Sequence, residues 1–142
     1  MRHRVLAAAA LLLSAALAAC SGNPAASIRG PEVDLAFGIQ RLQNEPAFVV
    51  TGGVGEVTIR GYFRAPCTPY EARAETDLAT GTLTVRLLGQ QPRACRDAVV
   101  NLGYQADVRA LAAGEYRLHV IHTLPATSWP AEMVVDTQVT VR

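Results

Sequence analysis

The sequence predicts an all-β protein, a single antiparallel sandwich of two sheets with about seven strands. Three observations lead there. Apolar residues recur at every second position over most of the chain from residue 47 onward, which is the period of a half-buried strand. Breakers such as Gly52-Gly53, Pro66-Cys67-Thr68-Pro69 and Thr80-Gly81 punctuate these runs at short intervals, as hairpin connections require. Beyond residue 19 there is no long run with the helical apolar period, so sheets with one apolar face each must bury it by stacking on one another.

The chain opens with Met1-Arg2-His3-Arg4 and continues from Val5 to Ala19 without a charge. A basic stretch followed by an apolar run marks an export signal, and the run falls short of the roughly 20 apolar residues that span a bilayer. Leu17-Ala18-Ala19-Cys20 resembles the lipobox of bacterial lipoproteins: an aliphatic residue, two small residues and a cysteine. That resemblance implies a signal peptide at 1–19, cleavage after Ala19, a diacylglyceryl thioether on Cys20 and an acyl chain on the new amino terminus. The expected partner of Cys20 is thus a membrane, since two chains at about 0.8 kcal/mol per buried methylene anchor stably. In Gram-negative sorting, Ser21 in place of aspartate after the cysteine looks, by the same likeness, like an outer-membrane address facing the periplasm rather than an inner-membrane one. Ordinary cleavage leaving Cys20 as a free thiol is the alternative.

With lipid on Cys20, Cys67 and Cys95 are the remaining pair. An even pair in an oxidising compartment is expected to be a disulfide, worth roughly 3 to 4 kcal/mol by the chain-entropy model. The competing reading, a two-thiol metal or redox site, lacks a second cysteine or histidine beside either sulfur.

All thirteen basic residues are arginine, and two of them fall in residues 1–19, so eleven face twelve acids and the mature formal charge is −1. Such a balance creates no strong field for nucleic acid, and no nucleic-acid partner is expected. Residues 20–31, rich in Ser, Gly, Ala and Pro, read as a flexible tether. Residues 32–142 then form one domain, about the usual size for a single core.

Glu32 to Gln43 is ambiguous. Val33, Leu35, Phe37 and Ile39 alternate, while Leu35, Ile39 and Leu42 recur at helical spacing; the alternation favours a strand. A strand from Ala47 to Thr51 ends at Gly52-Gly53-Val54-Gly55. Glu56 to Arg64 sets Val57, Ile59, Gly61 and Phe63 against Thr58, Arg60, Tyr62 and Arg64. Residues 70–88 read as a hairpin about Thr80-Gly81, followed by a loop that carries Cys95. Ala98 to Val108 is a further strand with Val100, Leu102 and Tyr104 inward, although the alanines of 105–113 also suit a short helix. Met133, Val135, Thr137, Val139 and Val141 alternate to the end.

Leu111-Ala-Ala-Gly114-Glu-Tyr116 followed by Leu118 and Val120 resembles the tyrosine corner of immunoglobulin-like and fibronectin type III-like sandwiches, where the tyrosine bonds back to the preceding turn. The likeness covers roughly residues 55–142 and implies an immunoglobulin-like domain with Tyr116 in a structural role. Two departures separate the chain from antibody domains: Leu118 stands where the second core cysteine would be, and Trp129 lies in a late loop.

No catalytic set emerges. His119 and His122 lie three positions apart, an odd spacing that on a strand sends them to opposite faces, and neither is expected to hold a metal. His119 shares the parity of Arg117 and should be solvated, while His122 lies near a strand end and should line a loop. Gly52-Gly53-Val54-Gly55 lacks the Lys-Ser/Thr of a phosphate loop. Ser128-Trp129-Pro130 has no nucleophile elbow around it. Glu71, Glu75 and Asp77 fall on one wet strand face. No cofactor is expected. Trp129 and His122 are the candidate contacts for a partner or ligand. The expectation is therefore a lipid-anchored envelope module, non-catalytic, that meets an envelope protein, a glycan or a small ligand. The alternative is a small periplasmic enzyme or ligand sensor using the Trp129 loop and His122. A cleft that sets His122 against a carboxylate beside an open Trp129 pocket would favour that alternative.

Overall fold

The computed structural model describes residues 30–90 and 93–142; the expected signal peptide, the lipobox-like segment with Cys20 and nearly all of the expected tether lie outside the described residues. These residues form eight strands, one more than expected: β1 (Glu32–Leu42), β2 (Val49–Gly52), β3 (Glu56–Thr68), β4 (Glu71–Ala79), β5 (Thr82–Gln90), β6 (Arg96–Arg109), β7 (Gly114–Thr123) and β8 (Glu132–Val141). They make a sandwich of two four-stranded sheets, ordered β1-β6-β3-β2 and β4-β5-β7-β8.

The ambiguous stretch from Glu32 is the strand β1. Val33, Leu35 and Phe37 turn inward and pack on the core, so the period of two wins over the helical spacing. Gly38 then takes a left-handed backbone (φ 69°), and the pairing with β6 slips between Phe37 and Arg41. That bulge flips the alternation. Ile39, which would have continued the apolar face, is 62 % exposed. The alanine-rich stretch that suited a helix belongs to β6 as far as Arg109.

Pairing is antiparallel except between β5 and β7, which run parallel. The reason is connectivity. After β5 the chain crosses to the other sheet as β6 and returns as β7, and two reversals restore the original direction. The all-antiparallel expectation is corrected at this one pair. The tyrosine corner is in place at the β6–β7 crossing, where the Tyr116 hydroxyl donates to the Ala112 carbonyl at 2.8 Å.

Between the sheets lie Val57, Ile59, Phe63 and Ala65 of β3, Leu102, Tyr104, Ala106 and Val108 of β6, Leu83, Val85 and Leu87 of β5, and Leu118 and Val120 of β7. Phe63 is the largest fully buried side chain, with Phe37 edge-on at 5.5 Å and Tyr70 stacked at 6.1 Å. Such pairs add to the burial term of about 25 cal/mol per Å². On β8 the expected face is interrupted. Val120 pairs with Val135 but Ile121 pairs with Met133, so Val134 is the extra residue of a bulge. Val135, Val139 and Val141 stay buried while Met133 is 51 % exposed.

Cys67 and Cys95 are joined as a disulfide with Cα atoms 5.5 Å apart. Cys67 is at the buried end of β3 and Cys95 immediately precedes β6. The bridge thus ties neighbouring strands of one sheet at their ends, not the two sheets across the core.

Candidate functional site

β2 is short. It pairs with β3 only from Val57 to Arg60, so the following residues of β3 extend past its end on that side. The approach to β2 fills part of this space, with Phe48 lying against Gly61 so closely that a Cβ there would overlap the Phe48 ring. A glycine is needed for the close approach. Phe48 also stacks on Tyr62 at 5.4 Å. Beyond it, the β7–β8 loop closes over the sandwich end and leaves an open cleft of about 440 Å³ lined by Arg64, His122, Leu124, Trp129, Pro130 and Glu132. That volume is in the range of small-molecule sites.

The loop is held by its own threonine. The amide and hydroxyl of Thr127 both donate to the Leu124 carbonyl at 3.0 Å, and the Trp129 amide donates to Thr127 Oγ1 at 3.1 Å. A side-chain hydroxyl that repeats a backbone turn bond in this way stiffens a loop. Leu124 is buried beneath it, and Trp129 packs half-buried against the core. The guanidinium of Arg64 lies 5.7 Å from the centre of the Trp129 ring, within cation–π range.

His122 forms the floor. Its parity is that of Leu118 and Val120, and it is 6 % exposed; the expectation that it lines a loop near a strand end is met only at the cleft, since most of the ring is core. Phe63 lies 4.8 Å from it and Phe48 6.0 Å. Tyr104 shares a hydrogen bond of 3.1 Å with its Nε2, in a direction set by the ring's tautomer. Burial in this aromatic setting pulls the imidazole down to about 4 and pushes the Tyr104 phenol far up, because the charged form of each is desolvated.

A smaller recess of about 120 Å³ adjoins the cleft and shares Arg64, His122 and Glu132 with it, adding Glu45, Tyr62 and Val134. Burial, followed by the charge and hydrogen bond of Glu45, raises the Tyr62 phenol. Glu132 is the register partner of His122 across β7 and β8. Among the described residues neither Arg64 nor Glu132 is held in an ion pair.

The structure thus brings together Trp129 and His122, the two candidate contacts. His119 lies on the opposite face of β7, half-buried, with its Nε2 3.4 Å from Asp136. Asp136 also accepts two bonds from Arg117, at 2.8 and 2.7 Å. Glu71, Glu75 and Asp77 are exposed on the edge strand β4, where Glu75 pairs with Arg73 at 3.1 Å. Among the described residues no group of three or more His, Cys, Asp or Glu could hold a metal ion. Arg64, Glu132, Tyr62 and Glu45 carry no mark in the sequence that sets them apart from solvated positions. A comparison with protein-family models gives no match, and comparisons with curated proteins and with solved structures give none either.

Proposed function

We propose that the protein is a lipid-anchored module of the bacterial cell envelope that binds a ligand in the Arg64–Trp129 cleft without transforming it. The lipobox-like Leu17-Ala18-Ala19-Cys20 supports the anchor, and Ser21 supports the outer membrane as its address. The observation that carries the binding reading is the open cleft itself, where a stiffened tryptophan, an arginine in no ion pair among the described residues and a buried imidazole meet. Non-catalytic use is supported by the state of His122. A general base works best with a pKa near the operating pH, whereas burial draws this imidazole to about 4 and its Nε2 is engaged by Tyr104.

One observation favours the second reading, a small periplasmic enzyme or sensor: Glu132 lines the same cleft as His122. The only hydrogen bond described for the His122 ring, however, goes to a tyrosine and not to a carboxylate.

Co-purification from detergent-solubilised membranes, with the native chain and with Trp129→Ala, tests the binding reading. A partner or ligand retained by the native chain and lost from the variant is the expected result; identical profiles would remove the cleft from consideration. Mass spectrometry of the mature amino terminus tests the anchor. A Cys20 bearing the diacylglyceryl thioether is expected, and a soluble product with a bare thiol there would overturn it.

A further inference from the structure

The cleft carries opposite charges that do not neutralise each other. Arg64, on β3, and Glu132, at the start of β8, both line it and both line the adjoining recess, yet neither is in an ion pair among the described residues. Arg64 is held by the Trp129 ring rather than by a carboxylate, which leaves the donors of a planar guanidinium unclaimed for a ligand. Glu45 joins Glu132 in lining the smaller recess, and both carboxylates act on the Tyr62 phenol. The lining therefore offers a fork of donors from β3 and an acceptor-only carboxylate from β8. The same lining includes the apolar surfaces of buried Leu124, Trp129 and Pro130.

Resting on the binding reading above, we infer that the ligand is a small amino-carboxylic zwitterion, an α-amino acid or a dipeptide, whose carboxylate meets Arg64, whose ammonium meets Glu132 and whose side chain lies against Leu124 and Trp129. A bidentate guanidinium–carboxylate contact is among the strong, geometry-selective pairs. The neutral state of the buried imidazole on the floor suits this arrangement, because a cation there would repel the ammonium held by Glu132, the register partner of His122. A neutral sugar fits less well. Sugars lie flat on tryptophan faces, and the guanidinium of Arg64 already covers one face of Trp129. The volume of about 440 Å³ accommodates either form of the zwitterion.

Titration calorimetry on the full mature lipoprotein in detergent tests this, with L-leucine, L-alanyl-L-leucine, N-acetyl-L-leucine, L-leucinamide and N-acetylglucosamine as probes. Heat of binding is expected from leucine or the dipeptide, and which of the two binds more tightly identifies the source. Removing either charge from leucine should weaken binding by about tenfold or more, as for other hydrogen bonds to charged groups. Arg64→Gln should make leucine and leucinamide equivalent, and Glu132→Gln should do the same for leucine and N-acetyl-leucine. Both side chains are exposed at the cleft, and unchanged denaturation midpoints verify that the variants fold. Equal affinity of the capped and uncapped leucines for the native chain would overturn the inference, as would silence from both zwitterions at millimolar concentration. If N-acetylglucosamine binds instead and Trp129→Ala abolishes it, the zwitterion is wrong and the binding cleft stands. If no probe binds and the Trp129→Ala co-purification profile is unchanged, both fall.

Discussion

The hydroxyl of Tyr104 on β6 and Nε2 of His122 on β7 meet at 3.1 Å across the interior, one from each sheet. Two polar side chains in an apolar layer are tolerated because each satisfies the other, and Phe48 and Phe63 enclose the imidazole. The pair joins the core to the cleft floor, so its protonation state matters to both.

Acid should weaken the fold in a defined window. Burial lowers the His122 pKa from 6.5 to about 4, so below pH 6.5 the unfolded chain binds a proton that the folded chain refuses. Stability is full above that point, falls by about 1.4 kcal/mol per pH unit on the way down, and levels off near the folded value after a loss on the order of 3 kcal/mol. Urea denaturation between pH 7.5 and 4.5 reads this directly. His122→Gln should flatten the slope, whatever it costs at neutral pH. Asp136, lowered by its bonds from Arg117, titrates below the ordinary carboxylate range and contributes only in stronger acid.

Removing the partner should cost more than the net worth of the bond. Tyr104→Phe leaves the buried Nε2 without its hydroxyl, a loss of about 1 to 3 kcal/mol. Tyr116→Phe, which removes a bond to the Ala112 carbonyl at a more exposed place, should cost about 1 kcal/mol or less. Chemical denaturation of the two variants at pH 7.5 gives the comparison, and a larger loss from Tyr116→Phe would contradict the burial argument.

The contact of Phe48 with Gly61 should appear as a coupling. Gly61→Ala forces the Phe48 ring away and should destabilise by about 1 to 3 kcal/mol, as overpacking does. In a Phe48→Ala background the same change should cost much less, and a double-mutant cycle measures the difference. Additive losses would mean that the two residues do not touch.

Opening the Cys67–Cys95 bridge frees a loop with a sequence separation of 28. Replacing both cysteines by alanine should lower stability by about 3 to 4 kcal/mol on the chain-entropy model. The bridge ties the ends of β3 and β6, whereas the loop is braced by the bonds of Thr127 itself, so the midpoint of unfolding should shift with little change in ligand heat per folded molecule.

Much of the architecture was legible from one-dimensional pattern because a strand's side-chain period is local. Val57, Ile59 and Phe63 announced the inner face of β3, Thr80-Gly81 announced the β4–β5 hairpin, and Leu111 to Tyr116 announced the corner. The bulges at Gly38 and Val134 were not legible, since each depends on the register adopted by a neighbouring strand. Nor was the parallel pair, which follows from the order in which the chain visits the two sheets.

What the chain determined by itself is therefore what depends on near neighbours: the alternation that makes an all-β domain, the turns between strands and the cysteines left to pair. The cleft was decided by tertiary structure alone. Arg64, His122, Trp129 and Glu132 come from different strands and a loop, and they meet only because β2 stops short and β3 runs on beyond it. In sequence, Arg64 is a charged residue on the wet face of a strand and Glu132 a charged residue just before one. Only the stacking of the sheets gives them a common space, and only burial among aromatic rings turns a strand-end histidine into a neutral floor.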